Sequence, residues 1–447
     1  MKRFILDEIE RWNERKEKKP LILMGARQVG KTWLMNEFAG KHYRDNVVAV
    51  NFMENDFLRD ALENCNLDPG SVIQVIETVT SKKIIAGRTL LMLDELQESP
   101  RMLTALKFFN EKMPELSIIA AGSLLGLAVN RNRRGTRKEE KRRVSFPVGK
   151  VDFLDVPPMT FNEFLLAIGE VGKYELIRSG DWSVISGFAE SFSGLVRTYG
   201  FVGGMPAAVE TYATTHNFSD VRSVQKELLT AYDADFAKHA NGALLQKIRL
   251  LWRSLPGQLA KENKKFIYTA LKEGARAREY EEALEWLDDA GMIHIVNRVS
   301  HPGMPLASYA EFGAFKLYAH DVGLLGGMSD LPAKCVIDGN SVFTNFKGAL
   351  AEQYVLEELV ACRKRLYYWS PDDTRAEVEF LMQDENGICP IEVKAEKNLK
   401  AKSLKVFCER YSPGRALRFS LAHRSHGEKI DDYPLYAVER SIKDIVL

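Results

Sequence analysis

The chain has 447 residues, which is enough for about three domains with cores of their own. Its 62 Lys and Arg residues and 61 Asp and Glu residues give a net charge of +1, so a surface for nucleic acid or for a membrane has to be local. The content of 45% hydrophobic and 28% charged residues excludes a disordered or fibrous protein.

The sequence does not predict a membrane protein. The longest uncharged stretch, residues 116–130, has 15 residues, fewer than the about 20 apolar residues that cross a bilayer. The first residues carry acids every few positions and have no apolar core of a secretory signal. The five cysteines are scattered, which favours reduced thiols. We therefore expect a cytoplasmic protein without a membrane partner.

The clearest motif lies between a predicted buried strand, residues 20–25, and a predicted helix that starts at Thr32. The sequence GARQVGKT at residues 25–32 matches the phosphate-binding loop G-x-x-x-x-G-K-[ST]. In this pattern the glycines bring backbone N–H groups onto phosphate, the lysine neutralises the β- and γ-phosphates, and the final hydroxyl binds Mg²⁺. The predicted cofactors are ATP and Mg²⁺, and the residues predicted to hold the nucleotide are Gly25, Ala26, Arg27, Gln28, Val29, Gly30, Lys31 and Thr32.

Two later apolar runs end in polar residues that suit nucleotide hydrolysis. Residues 89–93 precede Asp94 and Glu95, for which we predict a magnesium-holding carboxylate and a general base that polarises the attacking water. A further run leads to Ser123, a candidate γ-phosphate sensor. The predicted catalytic residues are Lys31, Asp94, Glu95 and Ser123, and the predicted magnesium ligands are Thr32 and Asp94.

Four predicted strands alternate with helical segments in this region, at residues 20–25, 47–52, 89–94 and 117–122. This order predicts an α/β fold with a parallel sheet covered on both faces. The ligand of such a sheet binds at the carboxyl ends of the strands.

Residues 130–143 carry eight basic and two acidic residues. Such a run is usually a solvated loop. The alternative is a contact with a phosphate backbone, or an arginine finger that reaches the γ-phosphate of a neighbouring chain. Both interpretations stay open, as does an oligomeric state.

Several segments together resemble a family of bacterial and archaeal AAA-type ATPases with a C-terminal domain of unknown function. The resemblance implies ATP binding and hydrolysis by an N-terminal P-loop domain, a helical and winged-helix-like middle, and a C-terminal fold similar to restriction endonucleases. The segments that carry it lie at residues 25–32, 91–95, 120–123, 146–165, 199–209, 254–266, 315–325 and 346–359.

The middle of the chain is predicted to be helical from residue 160 to residue 240, with a linker helix capped by Ser219. Residues 244–300 then predict three helices and a strand pair, the winged-helix order. The last of these helices, residues 277–291, is rich in acids that would repel DNA phosphates. We therefore favour a packing role for it, and the lysines at 261, 264 and 265 keep DNA binding as the alternative.

The C-terminal region predicts helix, three strands, helix and strand from residue 345 onwards. This order, with Glu379 followed by Glu392-Val-Lys394, is similar to the PD-(D/E)xK nuclease core. Glu379 and Glu392 would chelate Mg²⁺ between neighbouring strands, Lys394 would orient water, and Glu352 would add a ligand. Whether this domain cleaves nucleic acid or only binds stays open.

These inferences combine into four predicted domains: a P-loop ATPase core (1–165), a helical linker (166–240), a winged-helix-like domain (241–335) and a nuclease-like domain (336–447). The predicted function is a Mg²⁺-dependent ATPase whose nucleotide state controls the nuclease-like domain on DNA. The alternative is a nucleotide-gated protein-interaction switch in which that domain does not cleave.

Overall fold

The computed structural model describes residues 1–123, 147, 149–261, 264–337, 344–397 and 402–446. The basic run at residues 130–143, with its candidate arginine finger, lies outside the described residues. The chain divides into an N-terminal unit, residues 3–156 and 289–291, and a C-terminal unit, residues 1–2, 157–288 and 292–447.

The N-terminal unit alternates strands and helices. Its strands are β1 (Leu21–Met24), β2 (Val47–Asn51), β3 (Leu90–Asp94), β4 (Ser117–Ala121) and β5 (Asp152–Asp155). Its helices are α1 (Ile5–Asn13), α2 (Lys31–His42), α3 (Asp56–Asn64), α4 (Pro69–Thr80) and α5 (Pro100–Lys112).

The five strands of this unit form one sheet in the order β2-β3-β4-β1-β5, and every pair in it is parallel. The prediction of a parallel α/β sheet is confirmed, and each of the four predicted strands lies within one residue of its expected range. The strand β5 was not predicted, since its sequence DFLD places acids at both ends of a two-residue apolar core.

Apolar side chains explain why these segments pack. Ile22, Leu91 and Ile118 come from one face of the sheet, and Leu62 and Phe109 come from the helices α3 and α5 that cover this face. Successive residues of β1, β3 and β4 are buried, so the continuous apolar runs in the sequence correspond to strands buried on both faces.

The C-terminal unit begins with helices and ends with a mixed sheet. Its helices are α6 (Phe161–Ala167), α7 (Val171–Ser179), α8 (Trp182–Gly187), α9 (Ala189–Val202), α10 (Pro206–Thr215), α11 (Phe218–His239), α12 (Gly242–Leu259), α13 (Ala277–Asp289), α14 (Val322–Met328), α15 (Ala333–Ile337), α16 (Thr344–Ala361), α17 (Lys402–Tyr411) and α18 (Val438–Val446). Its strands are β6 (Ile293–Val299), β7 (Glu311–Ala319), β8 (Tyr367–Trp369), β9 (Val378–Asp384), β10 (Gly387–Val393), β11 (Ala416–Ser420), β12 (Ser425–His426) and β13 (Ile430–Pro434).

These eight strands form a single sheet in the order β12-β13-β11-β10-β9-β8-β6-β7. The helix and strands expected between residues 345 and 422 occur in the predicted order. The antiparallel pair of β6 and β7 joins the rest of the sheet through a parallel pairing of β6 with β8. One sheet therefore contains strands from both the predicted winged-helix-like and the predicted nuclease-like regions.

Two details of the middle region differ from the sequence prediction. The cap of α11 is Asn217, whose side chain accepts the N–H of Ser219, so the helix starts before the predicted cap at Ser219. Between residues 264 and 276 the structure has only a 3-10 turn, Tyr268–Ala270, in place of the second predicted helix. The chain is held extended there because the Phe266 N–H donates to the Phe315 carbonyl of β7 at 2.8 Å.

Two expectations about the whole chain can also be compared with the structure. All five cysteines lie in the described residues and are free thiols. None of the helices in the described part of the chain has the length and apolar character needed to span a membrane.

Several carboxyl groups are buried in the C-terminal unit. Asp321 accepts the N–H groups of Leu324 and Gly204, and burial raises its pKa to about 6. Glu358 accepts the Phe161 N–H at 2.8 Å, and burial, reinforced by the charges of Glu439 and Glu163, raises its pKa to about 8. These groups hold protons in the folded chain that they would release in water.

We predict that the pH dependence of stability changes when Glu358 is replaced. Between its ordinary pKa of 4.5 and its folded pKa of about 8, the unfolded chain releases this proton and the folded chain keeps it. The free energy of unfolding should therefore fall as the pH rises through this range. Glu358→Gln keeps an oxygen for Phe161 and removes the titration, so the slope should decrease by up to about 1.4 kcal/mol per pH unit.

Urea unfolding from about pH 5 to about pH 8 measures this slope. Glu227→Gln on α11 is the matched control, because Glu227 is exposed. Identical slopes for the wild type and Glu358→Gln would contradict the prediction.

Candidate functional site

The phosphate-binding loop joins β1 to α2, as predicted. Gly25 has φ of +133° and Gly30 has φ of +95°, a region that L side chains rarely adopt. A Cβ on Gly25 would lie 2.4 Å from the Val156 carbonyl oxygen. Gly30 precedes α2 and has no side chain to cap it, so the first N–H groups of the helix suit an anion.

Lys31 lies inside this loop. Its ammonium group donates to the carbonyl oxygens of Gly25 at 2.9 Å and Ala26 at 2.7 Å, and the residue is 8% exposed. Burial lowers the pKa of Lys31 to about 8, although the charges of Glu95 and Asp94 oppose that change. The structure thus brings Lys31 into the electrostatic range of both predicted acids.

Asp94 and Thr32 are in direct contact. The Thr32 hydroxyl donates to Oδ2 of Asp94 at 2.7 Å, and the Glu95 N–H donates to Oδ1 at 3.0 Å. Burial raises the pKa of Asp94, and the bond from Thr32 partly offsets the rise. Mg²⁺ commonly uses one or two protein oxygens together with substrate phosphates, so Thr32 and Asp94 fit the ligand set expected for it.

Ser123 follows β4, the strand that separates β1 from β3 in the sheet. Its side chain is buried, with 8% exposed. Its position at the carboxyl end of the sheet agrees with the expected location, and its role as a γ-phosphate sensor stays a prediction.

Two residues near this site were not expected from the sequence. Gln97 donates from Nε2 to Oε2 of Glu95 at 2.5 Å. Arg3 is 3% exposed and donates from Nη1 to the Val29 carbonyl of the loop at 2.8 Å. Arg3 lies far from the loop in sequence, and neither residue belongs to a spaced motif, so only the folded structure reveals these contacts.

A second cluster of charges lies in the C-terminal unit and contains the four residues predicted there. Glu379 is on β9 and Glu392 is on the neighbouring strand β10. Burial raises the pKa of Glu379 well above its ordinary value, and the charges of Glu392 and Glu352 add to the rise. Lys394 forms an ion pair with Glu392. The charges of Glu352, Glu379, Glu392 and Lys394 therefore interact with one another.

Two further lysines reach this cluster from other elements. Lys264 forms an ion pair with Glu352, which also accepts the Tyr318 hydroxyl at 3.3 Å. Lys316 on β7 is completely buried and pairs with Glu377 at 2.6 Å. The ion pair with Lys264 thus occupies Glu352, a carboxylate that the predicted metal ion would need.

One oxygen of this cluster is left over, since Oε2 of Glu392 is buried without a hydrogen-bond partner in the described structure. In the described part of the chain, no three His, Cys, Asp or Glu side chains are grouped so that they could hold a metal ion. The protein side chains of this cluster thus fit a metal less well than Thr32 and Asp94 do.

The chain matches three family models in separate regions. Residues 17–165 match a model described as an AAA domain, and this region contains the glycine turn, Lys31 and the Thr32–Asp94 contact. We refer to these residues as the AAA domain, after the model that they match. Residues 193–334 and 347–435 match two models described as domains of unknown function, DUF8612 and DUF4143. No curated protein matches the chain.

Three solved structures are similar to this chain over most of its length. The Walker-type ATPase PABY2304 of Pyrococcus abyssi has 15% identity and a TM-score of 0.44, covering 72% of this chain and 94% of its own. The Aeropyrum pernix ORC1 protein in complex with DNA has 14% identity and a TM-score of 0.28, with 73% and 91% covered. AMPPCP-bound DnaA from Aquifex aeolicus has 16% identity and a TM-score of 0.22, with 63% and 86% covered. The AAA domain is therefore assigned from the family match and the geometry of the site, and not from these structures.

We predict that Gly25→Ala impairs nucleotide binding by the AAA domain. The added Cβ meets the Val156 carbonyl, and the backbone angle is unfavourable for alanine, so the loop must shift at a cost of about 1–3 kcal/mol. The affinity for an ATP analogue, measured by calorimetry, should fall by at least about tenfold.

Gly40→Ala is the matched control, because Gly40 is exposed within α2 and nothing lies within 4 Å of its added Cβ. This variant should keep its affinity and gain up to about 1 kcal/mol in stability. Unchanged affinity in Gly25→Ala would show that the turn does not hold the phosphates.

Proposed function

We propose that this protein is a Mg²⁺-dependent ATPase and that the AAA domain carries out the hydrolysis. The observation that supports the proposal is the hydrogen bond between Thr32 and Asp94 beside the buried ammonium group of Lys31. A helix N-terminus, one cation and a hydroxyl–carboxylate pair are the groups that a magnesium nucleotide needs.

Each residue of the site has a role in this proposal. The loop N–H groups and Lys31 bind the phosphates, and Thr32 and Asp94 hold the metal in place. Mg²⁺, when bound, neutralises charge on the phosphates. Glu95 accepts a proton from the water that attacks the γ-phosphorus, and the buried Ser123 donates to a γ-phosphate oxygen.

Two substitutions should separate binding from hydrolysis. Lys31→Ala removes the cation that meets the phosphates, so the affinity for ATP should fall by at least about tenfold. Glu95→Gln removes the base and keeps the shape of the side chain, so ATP should still bind while the hydrolysis rate falls by about 10²-fold to 10⁴-fold. Calorimetry and phosphate release measure the two quantities.

The controls make the same chemical changes at exposed positions of the N-terminal unit, Lys16→Ala and Glu63→Gln. Both control variants should behave as the wild type. Hydrolysis that persists in Lys31→Ala and in Glu95→Gln would contradict the proposed function.

For the C-terminal unit we propose a binding role without cleavage of nucleic acid. The ion pairs of Lys264 and Lys394 support this alternative, because they take up Glu352 and Glu392 of the cluster. A nuclease acting on DNA is the second candidate, and the buried unpartnered oxygen of Glu392 favours it, since a cation would satisfy that oxygen.

Metal binding distinguishes the two candidates. In the Lys31→Ala background, we expect Mn²⁺ titrated into the full chain to give the same binding isotherm with and without Glu392→Gln. We also expect no cutting of single-stranded DNA, duplex DNA or RNA. Mn²⁺ binding that Glu392→Gln removes, or cutting that Lys394→Ala removes, would establish the nuclease instead.

We further propose that the nucleotide state of the AAA domain controls the binding role of the C-terminal unit, with another protein or DNA as the partner. The near-neutral net charge of +1 and the acidic face of α13 favour a protein partner over DNA. Oligomeric assembly is compatible with this proposal and is not required by it.

A further inference from the structure

Gln97 lies in a short, firmly anchored turn that follows β3, the strand that ends in Asp94. Leu96, the residue between Glu95 and Gln97, is completely buried in the core of the N-terminal unit. The Glu95 carbonyl accepts the Glu98 N–H at 2.9 Å, which closes a 3-10 turn over residues 96–98. This anchoring fixes where the Gln97 side chain starts.

The backbone of Glu95 is also held in an uncommon conformation. It has φ of +52° and ψ of +44°, a left-handed conformation that is unfavourable for a residue with a side chain. The Glu95 N–H donates to the Asp94 side chain at 3.0 Å, so the same turn ties the carbonyl and the N–H of Glu95. Strain of this kind persists where the surrounding structure imposes it, and it is often found at functional sites.

The amide of Gln97 completes this arrangement. A carboxylate only accepts hydrogen bonds, so the Gln97 atom 2.5 Å from Oε2 of Glu95 is the NH₂ group. The other end of the amide, Oε1, is buried without a hydrogen-bond partner in the described structure. Leaving a buried acceptor without a partner costs free energy. The hydrogen bond from the NH₂ group to Glu95 explains why the Gln97 side chain keeps this orientation despite that cost.

We propose that Gln97 is a positioning residue for ATP hydrolysis, which holds one oxygen of Glu95 so that the other oxygen faces the attacking water. This inference rests on the proposed role of Glu95 as the base. Gln97 does not exchange a proton in this scheme. It restricts the rotation of the carboxylate.

The test uses the full chain with Gln97→Ala and Gln97→Glu. Gln97→Ala should lower the hydrolysis rate at saturating ATP by about 10-fold to 100-fold, because a misplaced base transfers the proton poorly. The affinity for a non-hydrolysable analogue should stay within about twofold of the wild type, since Gln97 does not bind the phosphates in this scheme.

The second variant separates positioning from a merely structural role. Gln97→Glu keeps the length and shape of the side chain and removes the donor, since a carboxylate only accepts hydrogen bonds. Its hydrolysis rate should therefore fall at least as far as that of Gln97→Ala, with the affinity for the analogue unchanged. Gln74→Ala, the same change as Gln97→Ala at an exposed position of α4, should leave the rate unchanged.

The outcomes identify which idea fails. A wild-type rate in Gln97→Ala, with Glu95→Gln inactive, would overturn the positioning role and leave the proposed function in place. A slower rate in Gln97→Ala with a wild-type rate in Gln97→Glu, or with an equal loss of affinity, would assign Gln97 a structural role and also overturn it. Wild-type hydrolysis in Glu95→Gln would refute the role of Glu95 as the base, and the inference about Gln97 would fall with it.

Discussion

The hydrogen bond between Thr32 and Asp94 is the contact on which the proposed site depends. Thr32 lies at the start of α2, which follows β1, and Asp94 is the last residue of β3. The strand β4 separates β1 from β3 in the sheet. The bond at 2.7 Å therefore requires that the start of α2 and the end of β3 reach across β4. The order of the sheet makes this possible because all of its strands end at the same edge.

Charge balance at this edge adds a second constraint. Burial lowers the pKa of Lys31 and raises that of Asp94, and each charge opposes the change in the other. Removing one member would leave the other charge in a poorly solvated position, which is costly. The loop itself supplies the carbonyl groups of Gly25 and Ala26 around the ammonium ion.

The sequence predicted the parts of the structure that depend on local pattern. Four strands of the N-terminal sheet were predicted because their apolar runs are continuous and bounded by turns, and the loop was predicted because its glycines and Lys31 have a fixed spacing. The strand β5 was missed because Asp152 and Asp155 interrupt its apolar pattern. Its position depends on its pairing with β1, which is a non-local contact.

The C-terminal cluster shows the same division between local and non-local information. Glu379, Glu392 and Lys394 were predicted to converge because the alternation of side chains along neighbouring strands places them together. The lysines that neutralise the cluster could not be found in this way. Lys264 is far from Glu352 in the sequence, and Lys316 is far from Glu377. Only the folded unit brings each pair together.

The origin of these lysines bears on what the C-terminal region can do alone. A fragment that begins at residue 336 would contain Glu352 and Glu377 and would lack both Lys264 and Lys316. It would also lack β6 and β7, so the sheet would end at β8. Those two carboxylates would then lack the cations that pair with them in the full chain. The chemistry of the cluster therefore belongs to the full C-terminal unit, including the region that resembles a winged helix in sequence.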